Sequence, residues 1–556
     1  MKQIFTSILL CILFVTANAQ TYHPTFNVGE KEGKGVAETD IGVIGKTDTE
    51  IIHLTAKGKG VAMGIDPFGF INPVGIKTKV ELNIHLYDYA LTLKKELPLG
   101  DIKIAGLNNP PEKNFEFTYQ DKKKNIWIIY STNSKGANHL YRTKLNESRT
   151  GFEKPILISR QQIGADKINK QSSYSIELSE SKDLMCIYSF SSNKKGKSTS
   201  TYVEVLDADF NRKWIMYSKV PQYEKNNFTN KLDNTYSKLL NGKNKNTLLS
   251  EMGVFHYFNS VTDKKNNNIT HILYSFSEGK RNAIIKPITN DKIKKKGLHL
   301  VDYNKQLCLI GLYSNKEEKE FVIEGLFIEI MDPVLLKTTS EKMIKFTNNQ
   351  KKDFLISNYF PETSFQLNKF ISKDNKVAKK LEKKSKIEIE NDFIAHNVFI
   401  NNNQSFTFVV ESFKESSIIS STTTGGVGSS RFLNYYEDLC FINFTKEGTI
   451  NWVSNFHKYQ KIDDNTFFSR GLFLEQKEDQ LLFMYPNLNV DQIQYGEVSL
   501  DGKIKAKDIY TLKNKRIEGY WFDPGSFELL TDRQFLGNSI RSFKKRMIMM
   551  DLKTVN

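Results

Sequence analysis

The side chains able to do chemistry are numerous in this sequence, but their spacing completes no catalytic or metal-binding motif. There are nine histidines: His23, His53, His85, His139, His256, His271, His299, His396 and His457. None lies in an H-E-x-x-H pattern or beside a cysteine pair, so local spacing supplies no zinc site. Asp207-Ala208-Asp209-Phe210-Asn211 begins like a calcium loop. It then carries Arg212 where the loop needs glycine and Ser218 where it needs a bidentate Glu, so it reads as a hairpin turn. Gly29 to Gly35 is glycine-rich but lacks phosphate-loop spacing and the trailing Ser or Thr, and Gly58 to Gly64 also lacks that spacing. No Gly-x-Ser-x-Gly elbow occurs, and Gly428-Ser429-Ser430 sits in a low-complexity tract that could not hold a nucleophile in place. Thr445-Lys446-Glu447-Gly448-Thr449-Ile450-Asn451-Trp452 approaches a sialidase-type box, with Glu for Asp and one residue too many before the Trp. Asp207 to Trp214 lacks the glycine of a quinoprotein repeat. Trp214 and Trp452 read more simply as packing between sheets. Glycoside chemistry needs two carboxylates about 5 to 10 Å apart, and among 63 acidic residues no spacing locates such a pair. Asp66-Pro67-Phe68-Gly69-Phe70 is an aromatic turn that could line a ligand surface, and reads first as a packed turn. The sequence thus assigns no catalytic, cofactor-binding or metal-ligating residue, and no cofactor.

The elements that would position any site are strands. Ile126-Trp127-Ile128-Ile129-Tyr130-Ser131 is typical: β-branched and aromatic residues bounded by polar turns. Similar segments recur at Leu184 to Ser189, Thr270 to Ser275, Leu307 to Ser314, Phe406 to Phe413, Leu481 to Tyr485 and Phe527 to Leu530. Four of the seven end in Tyr-Ser, a weak internal repeat. A strand–turn–strand unit accompanies most of them, as in Tyr202 to Leu206 and Trp214 to Val220, with Gly, Pro, Asp and Asn at the turns. Together these units make repeated four-stranded antiparallel sheets. The expected fold is all-β: a β-propeller of seven or eight such blades.

Residues 1–19 read as a signal peptide, 20–78 as a leader packing on the propeller, and 79–556 as the propeller with long insertions. Lys79 to Leu99 is expected to pair with Phe543 to Leu552, closing the ring and removing an exposed sheet edge. Helix signals are few. Lys376 to Lys386, with Val377 and Leu381 at helical spacing, predicts one or two surface turns. The Ser/Thr/Gly tract Ser416 to Ser430 predicts a mobile loop inside a hairpin.

The compartment follows from the first residues. Lys2 precedes the apolar run Ile8 to Val15, and Ala17-Asn18-Ala19 forms a cleavage site that leaves Gln20 as the mature N-terminus. Leu10 before Cys11 does not fit a lipidation box. No later segment approaches 18 consecutive apolar residues, so no transmembrane helix is expected. Beyond the signal, Cys186, Cys308 and Cys440 are an odd count, far apart, each inside an apolar run, and all three read as core. The formal charge is +16. Its densest lysine runs are Lys122 to Lys124, Lys294 to Lys296 and Lys376 to Lys386, read as hairpin tips or an exposed helix. Most of this charge is expected on solvated loops, and a functional reading is attraction to anionic glycans or lipid headgroups. Arginine is scarce and no recognition motif occurs, which argues against nucleic acid.

A wider pattern resembles a known group. Gly311-Leu312-Tyr313-Ser314, Glu324-Gly325-Leu326-Phe327, Val409-Val410-Glu411-Ser412 with its Ser/Thr/Gly tract, and Phe441 through Trp452 are similar to the uncharacterised exported β-propeller-type proteins of Bacteroidetes. The resemblance covers roughly the C-terminal half and implies fold and compartment, but no activity. The expectation is an exported protein, in the periplasm or at the cell surface, acting as a binding or scaffold module. An envelope protein or an anionic glycan or lipid would be its partner, with peripheral outer-membrane association as one form of this. The rival is a glycan-active hydrolase or lyase with its site at the propeller centre. A third reading is an accessory subunit of an outer-membrane complex.

Overall fold

The computed structural model describes residues 22–28, 38–58, 63–65, 71–73, 80–103, 112–134, 137–162, 174–192, 198–221, 246–262, 269–289, 292–318, 321–360, 367–384, 386–390, 392–419, 430–458, 460–463, 472–486, 492–510, 521–531, 534–541 and 544–554. The signal segment, Gly29 to Gly35 and Asp66 to Phe70 lie outside these residues. The described chain is all-β, apart from helices at Asn348–Leu355 and Leu367–Glu382. No described helix is long and apolar enough to cross a membrane.

Apart from a two-stranded pair, Met63–Ile65 with Ile71–Pro73, the described strands form eight antiparallel quartets in chain order. The first is Glu38–Lys46, Ile51–Gly58, Val80–Tyr87 and Leu93–Lys103; the second is Lys113–Gln120, Ile126–Ser134, Ala137–Lys144 and Ile156–Gln162. These two join into one eight-stranded sheet through only two parallel pairs, Ile102 with Lys113 and Lys103 with Asn114. Sheet 3 spans Ser175–Leu178 to Arg212–Pro221, sheet 4 Thr247–Leu249 to Ile284–Ile288, and sheet 5 Ile293–Tyr303 to Thr338–Lys345. Sheet 6 runs from Asp392–Ile400 to Ile450–Phe456, with Gln460–Asp463 as a fifth strand, and sheet 7 from Phe473–Lys477 to Ile504–Tyr510. Sheet 8 combines Trp521–Thr531, Gln534–Arg541 and Lys544–Thr554 with the N-terminal strand Tyr22–Val28.

Both faces of each sheet carry buried apolar residues, which explains the unbroken apolar runs of the inner strands. In Leu184–Ser192, Met185 and Ile187 pack toward sheet 2, while Cys186 and Tyr188 pack toward sheet 4. Eight apolar clusters each join two successive sheets. The last joins Leu536, Met547 and Met549 of sheet 8 to Val43, Ile51 and Tyr87 of sheet 1. Lys46 Nζ also donates to the Leu529 carbonyl at 3.0 Å, again linking the first and last sheets. The three cysteines are free and buried, as expected of core residues.

In an antiparallel quartet the first–second and third–fourth turns leave by one edge, and all other connections leave by the opposite edge. On the first edge the turns are tight, with a left-handed residue at Lys124, Lys182, Gln404 and Glu478 in first–second turns, and at Arg149, Phe210 and Leu336 in third–fourth turns. Neighbouring first–second turns are stitched together. Lys124 bonds Asp48, and Lys122 bonds Asp183. Ser181 N donates to Glu251 at 2.7 Å, and Glu251 N to Asp302 at 2.7 Å. Tyr303 OH donates to Gln404 at 3.1 Å, and Asn402 to Asp479 at 2.9 Å. The opposite edge carries the two helices.

Several expectations are corrected. Val80–Tyr87 pairs with Ile51–Gly58 and Leu93–Lys103, both in sheet 1. The C-terminal strand pairs instead with Tyr22–Val28, from Tyr22 opposite Thr554 to Val28 opposite Ile548. Edge pairing needs only a free strand of matching length, and the earlier N-terminal segment reaches that edge while Val80–Tyr87 is enclosed on both sides. Lys294 to Lys296 is no hairpin tip but the start of the first strand of sheet 5. The surface turn becomes a 16-residue helix, Leu367–Glu382. Strand pairing extends into the Ser/Thr/Gly tract as far as Ile419 opposite Ser430, so it is not all loop. Thr270 to Ser275 is the third strand of its sheet, and Phe527 to Leu530 the first.

Candidate functional site

The densest assembly of buried charge lies in sheet 6, toward the helix-bearing edge. It is built on strand irregularities. The register of Asp392–Ile400 against Phe406–Ile419 slips between Ala395 and Asn397, leaving His396 as a bulged residue. The next pairing slips between Glu411 and Phe413. An extra residue bends a strand and re-aims side chains. Here His396 Nε2 and Glu411 Oε2 come to 2.8 Å, and Lys458 Nζ donates to Glu411 Oε1. The Lys458 and Glu411 side chains are only 1% and 2% exposed, so this pair is closed to solvent, whereas His396 is 16% exposed. The Lys458 ammonium also lies 5.1 Å from the Tyr485 ring centre and 5.6 Å from that of Tyr436. Burial alone would push the Glu411 carboxyl up; Lys458 and His396 outweigh it and hold it below the usual range. Burial pushes the Lys458 ammonium down, against the pull of Glu411.

A second group adjoins it, because the neighbouring residue His457 serves a different carboxylate. His457 Nδ1 lies 2.9 Å from Asp438 Oδ1. Its backbone N–H donates to Tyr359 O, and its ring packs on Phe360. Asp374, from the inner side of the helix Leu367–Glu382, accepts from Ser357 N at 3.2 Å. Burial, then the charge of Asp438, holds the Asp374 carboxyl above its usual range. His457 is thus oriented by Asp438, and Asp374, which feels the charges of both, favours its protonated form; these are the group types that acid–base chemistry uses.

Other buried carboxylates are engaged by their own chain. Glu116 accepts from Asn114 at 2.8 Å, Ser131 at 2.6 Å and Tyr174 N at 2.9 Å. Glu204 accepts from Arg212 at 2.5 Å, Glu324 from Lys351 at 3.1 Å and Glu329 from Lys286 at 2.5 Å.

The segments weighed in the sequence fall elsewhere. Asp207 to Arg212 is a hairpin turn, with Asp207 Oδ1 accepting from the backbone of Asp209 and Asn211. Thr445 to Thr449 is a turn closed by Thr445 N donating to Thr449 O. Trp214 Nε1 donates to Gly253 O of sheet 4 at 3.0 Å, and Trp452 Nε1 to Leu500 O of sheet 7 at 2.8 Å. Both tryptophans therefore pack between sheets, as expected. His256 is wholly buried, and burial pushes it down to about 3, so it stays neutral. Among the described residues no group of three His, Cys, Asp or Glu side chains is placed to hold a metal ion. Sequence reading missed His396, Glu411, Asp438, His457 and Lys458, because the bulges that gather them leave no spacing signal.

No family model matches the chain, and no curated protein matches it. Among solved structures, a polysaccharide lyase shares 7% identity over 94% of this chain and 91% of its own, with a TM-score of 0.35. An apocarotenoid oxygenase from Synechocystis shares 9% over 88% and 93%, with a TM-score of 0.31. An α-L-arabinofuranosidase from Fusarium graminearum shares 7% over 79% and 92%, with a TM-score of 0.27. Likenesses this slight carry no argument about chemistry.

Proposed function

We propose that the chain is an exported cell-envelope protein of the Bacteroidetes propeller type. In this reading its eight quartets are the blades of a β-propeller closed by Tyr22–Val28, and it works as a binding module in the periplasm or at the cell surface. The eighth apolar cluster, between the last sheet and the first, supports closure. The observation that carries the binding reading is the difference between the two edges. One is a set of tight turns cross-linked from sheet 1 to sheet 7. The other bears the helices and longer connections, and a rigid frame commonly recognises its partners through such segments.

Two measurements test this. Mass spectrometry of the exported protein should find an N-terminus at Gln20; an intact Met1 refutes export. Cross-linking in native membranes should recover a partner through the helix-bearing edge. Cross-links confined to the tight-turn edge refute the binding face.

The acid–base grouping of Asp374, Asp438 and His457 favours a second reading, a glycan-active hydrolase or lyase. Its test is release of reducing ends or of unsaturated uronates from envelope glycans, with loss of activity in Asp374→Asn.

A further inference from the structure

We propose that the outer face of the helix Leu367–Glu382 is a docking strip for a linear polyanionic glycan, rich in uronate or sulfate. Lys373, Lys376, Lys379 and Lys380 are exposed on this helix, and Lys383 and Lys384 continue the face past its end. The inner face carries Asp374, Val377, Ala378 and the buried Leu381, which seat the helix on the protein. From Lys373 to Lys384 the strip spans about 16 Å at the helical rise. Helix neighbours three or four apart are about 5–6 Å apart, closer than the Debye length of about 8 Å at physiological salt, so their fields add.

The other two lysine runs show what a structural lysine looks like here. Lys122, Lys123 and Lys124 of sheet 2 bond Asp183 and Asp209 of sheet 3 and Asp48 of sheet 1. In the strand run, Lys294 donates to Glu318 O, Lys295 lies 3.8 Å over the Phe327 ring and Lys296 pairs with Asp392 at 2.5 Å. Among the described residues the six strip lysines form no ion pair within 4.0 Å; the nearest such pair is Lys386 with Glu388 at 2.8 Å, and Glu388 also attracts Lys384 from a distance. Like charges left this close repel, and a polyanion relieves that repulsion while releasing its own counterions. A lipid surface fits less well. The exposed side chains from Ser372 to Lys384 are Ser, Asn, Lys and Glu, with nothing apolar to enter a bilayer.

The proposal deepens the binding reading and rests on it for the compartment alone. The test titrates the purified mature protein with polygalacturonate, neutral dextran and phosphatidylglycerol vesicles. Polygalacturonate should bind, dextran should not, and raising the salt should weaken binding steeply. Lys373→Gln/Lys376→Gln/Lys380→Gln/Lys384→Gln should lose about tenfold or more in affinity with an unchanged melting curve, because glutamine keeps helix propensity. Lys154→Gln/Lys182→Gln/Lys280→Gln/Lys305→Gln removes equal charge from the tight-turn side and should stay within about twofold. If the first variant melts differently, Lys376→Gln/Lys380→Gln replaces it, with a smaller loss in the same direction. Equal losses in both variant sets, no binding of polygalacturonate, or binding to vesicles alone would overturn the proposal. An uncleaved signal would overturn the compartment and leave this result standing, whereas failure here leaves the export and closure readings intact.

Discussion

Two glycines with nearly the same backbone separate the cost of conformation from the cost of contact between sheets. Gly279 has φ +74° and a Cβ added there meets nothing within 4 Å. Gly502 has φ +80°, and its Cβ would stand 2.6 Å from Cδ2 of Trp452 and 3.0 Å from the Ser454 hydroxyl, both in the neighbouring sheet. Gly279→Ala should therefore cost only the left-handed penalty, about 1–2 kcal/mol. Gly502→Ala carries that penalty plus overpacking, about 1–3 kcal/mol. Displacing Trp452 also strains its bond to Leu500 O at 2.8 Å, and the bond from Ser454 Oγ to Gly502 O at 2.7 Å. Each such bond is worth about 0.5–1.5 kcal/mol net. The second variant should thus be less stable than the first by about 2–4 kcal/mol. Urea unfolding followed by tryptophan emission measures both. A Gly502→Ala/Trp452→Leu cycle should show a coupling above about 1 kcal/mol. Equal losses in the two alanine variants, or no coupling, would refute the packing of sheet 6 on sheet 7 described here.

Three further outcomes are expected. Deleting Tyr22–Val28 strips one of the two partners from Lys544–Thr554 and leaves an open edge, so the variant should aggregate in light scattering where a chain trimmed only to Tyr22 does not. Lys458→Met leaves Glu411 buried without its cation and should cost about 3–5 kcal/mol in urea unfolding, whereas the Glu411→Gln/Lys458→Met double variant should cost less than the two singles summed. The Asp374 carboxyl is raised in the folded state, so its ionisation weakens the fold above its folded pKa, and this cost is relieved as pH falls toward the unfolded value of about 3.9. Asp374→Asn should accordingly melt higher than the parent at pH 7, with the difference shrinking on acidification.

Much of the fold was readable along the chain. The recurrent runs such as Leu184 to Ser189 and Leu307 to Ser314 are second strands, and the hairpins after them have the turns their Asp, Asn and Gly residues announce. The cysteines sit in the core for the same local reason that their neighbours do. Edge pairing was not readable: Tyr22–Val28 and Val80–Tyr87 are both short strand-forming segments, and only one is left with a free edge beside Lys544–Thr554.

The division has a physical basis. Strand period, turn chemistry and apolar content act over a few residues, so the sequence by itself determined an all-β chain of repeated antiparallel sheets with buried thiols. The candidate site depends on distant contacts. His396 meets Glu411 only because a bulge offsets one strand, and Lys458 reaches the same carboxylate from 47 residues away. Asp374 feels the charges of Asp438 and His457 only when its helix docks. The lysine runs make the same point, since residues of one type became cross-links at Lys122 to Lys124 and, on the helix, a strip with no ion pair among the described residues. Which of the two a charged run becomes depends on whether the fold brings a carboxylate within ion-pair distance, and tertiary structure alone decides that.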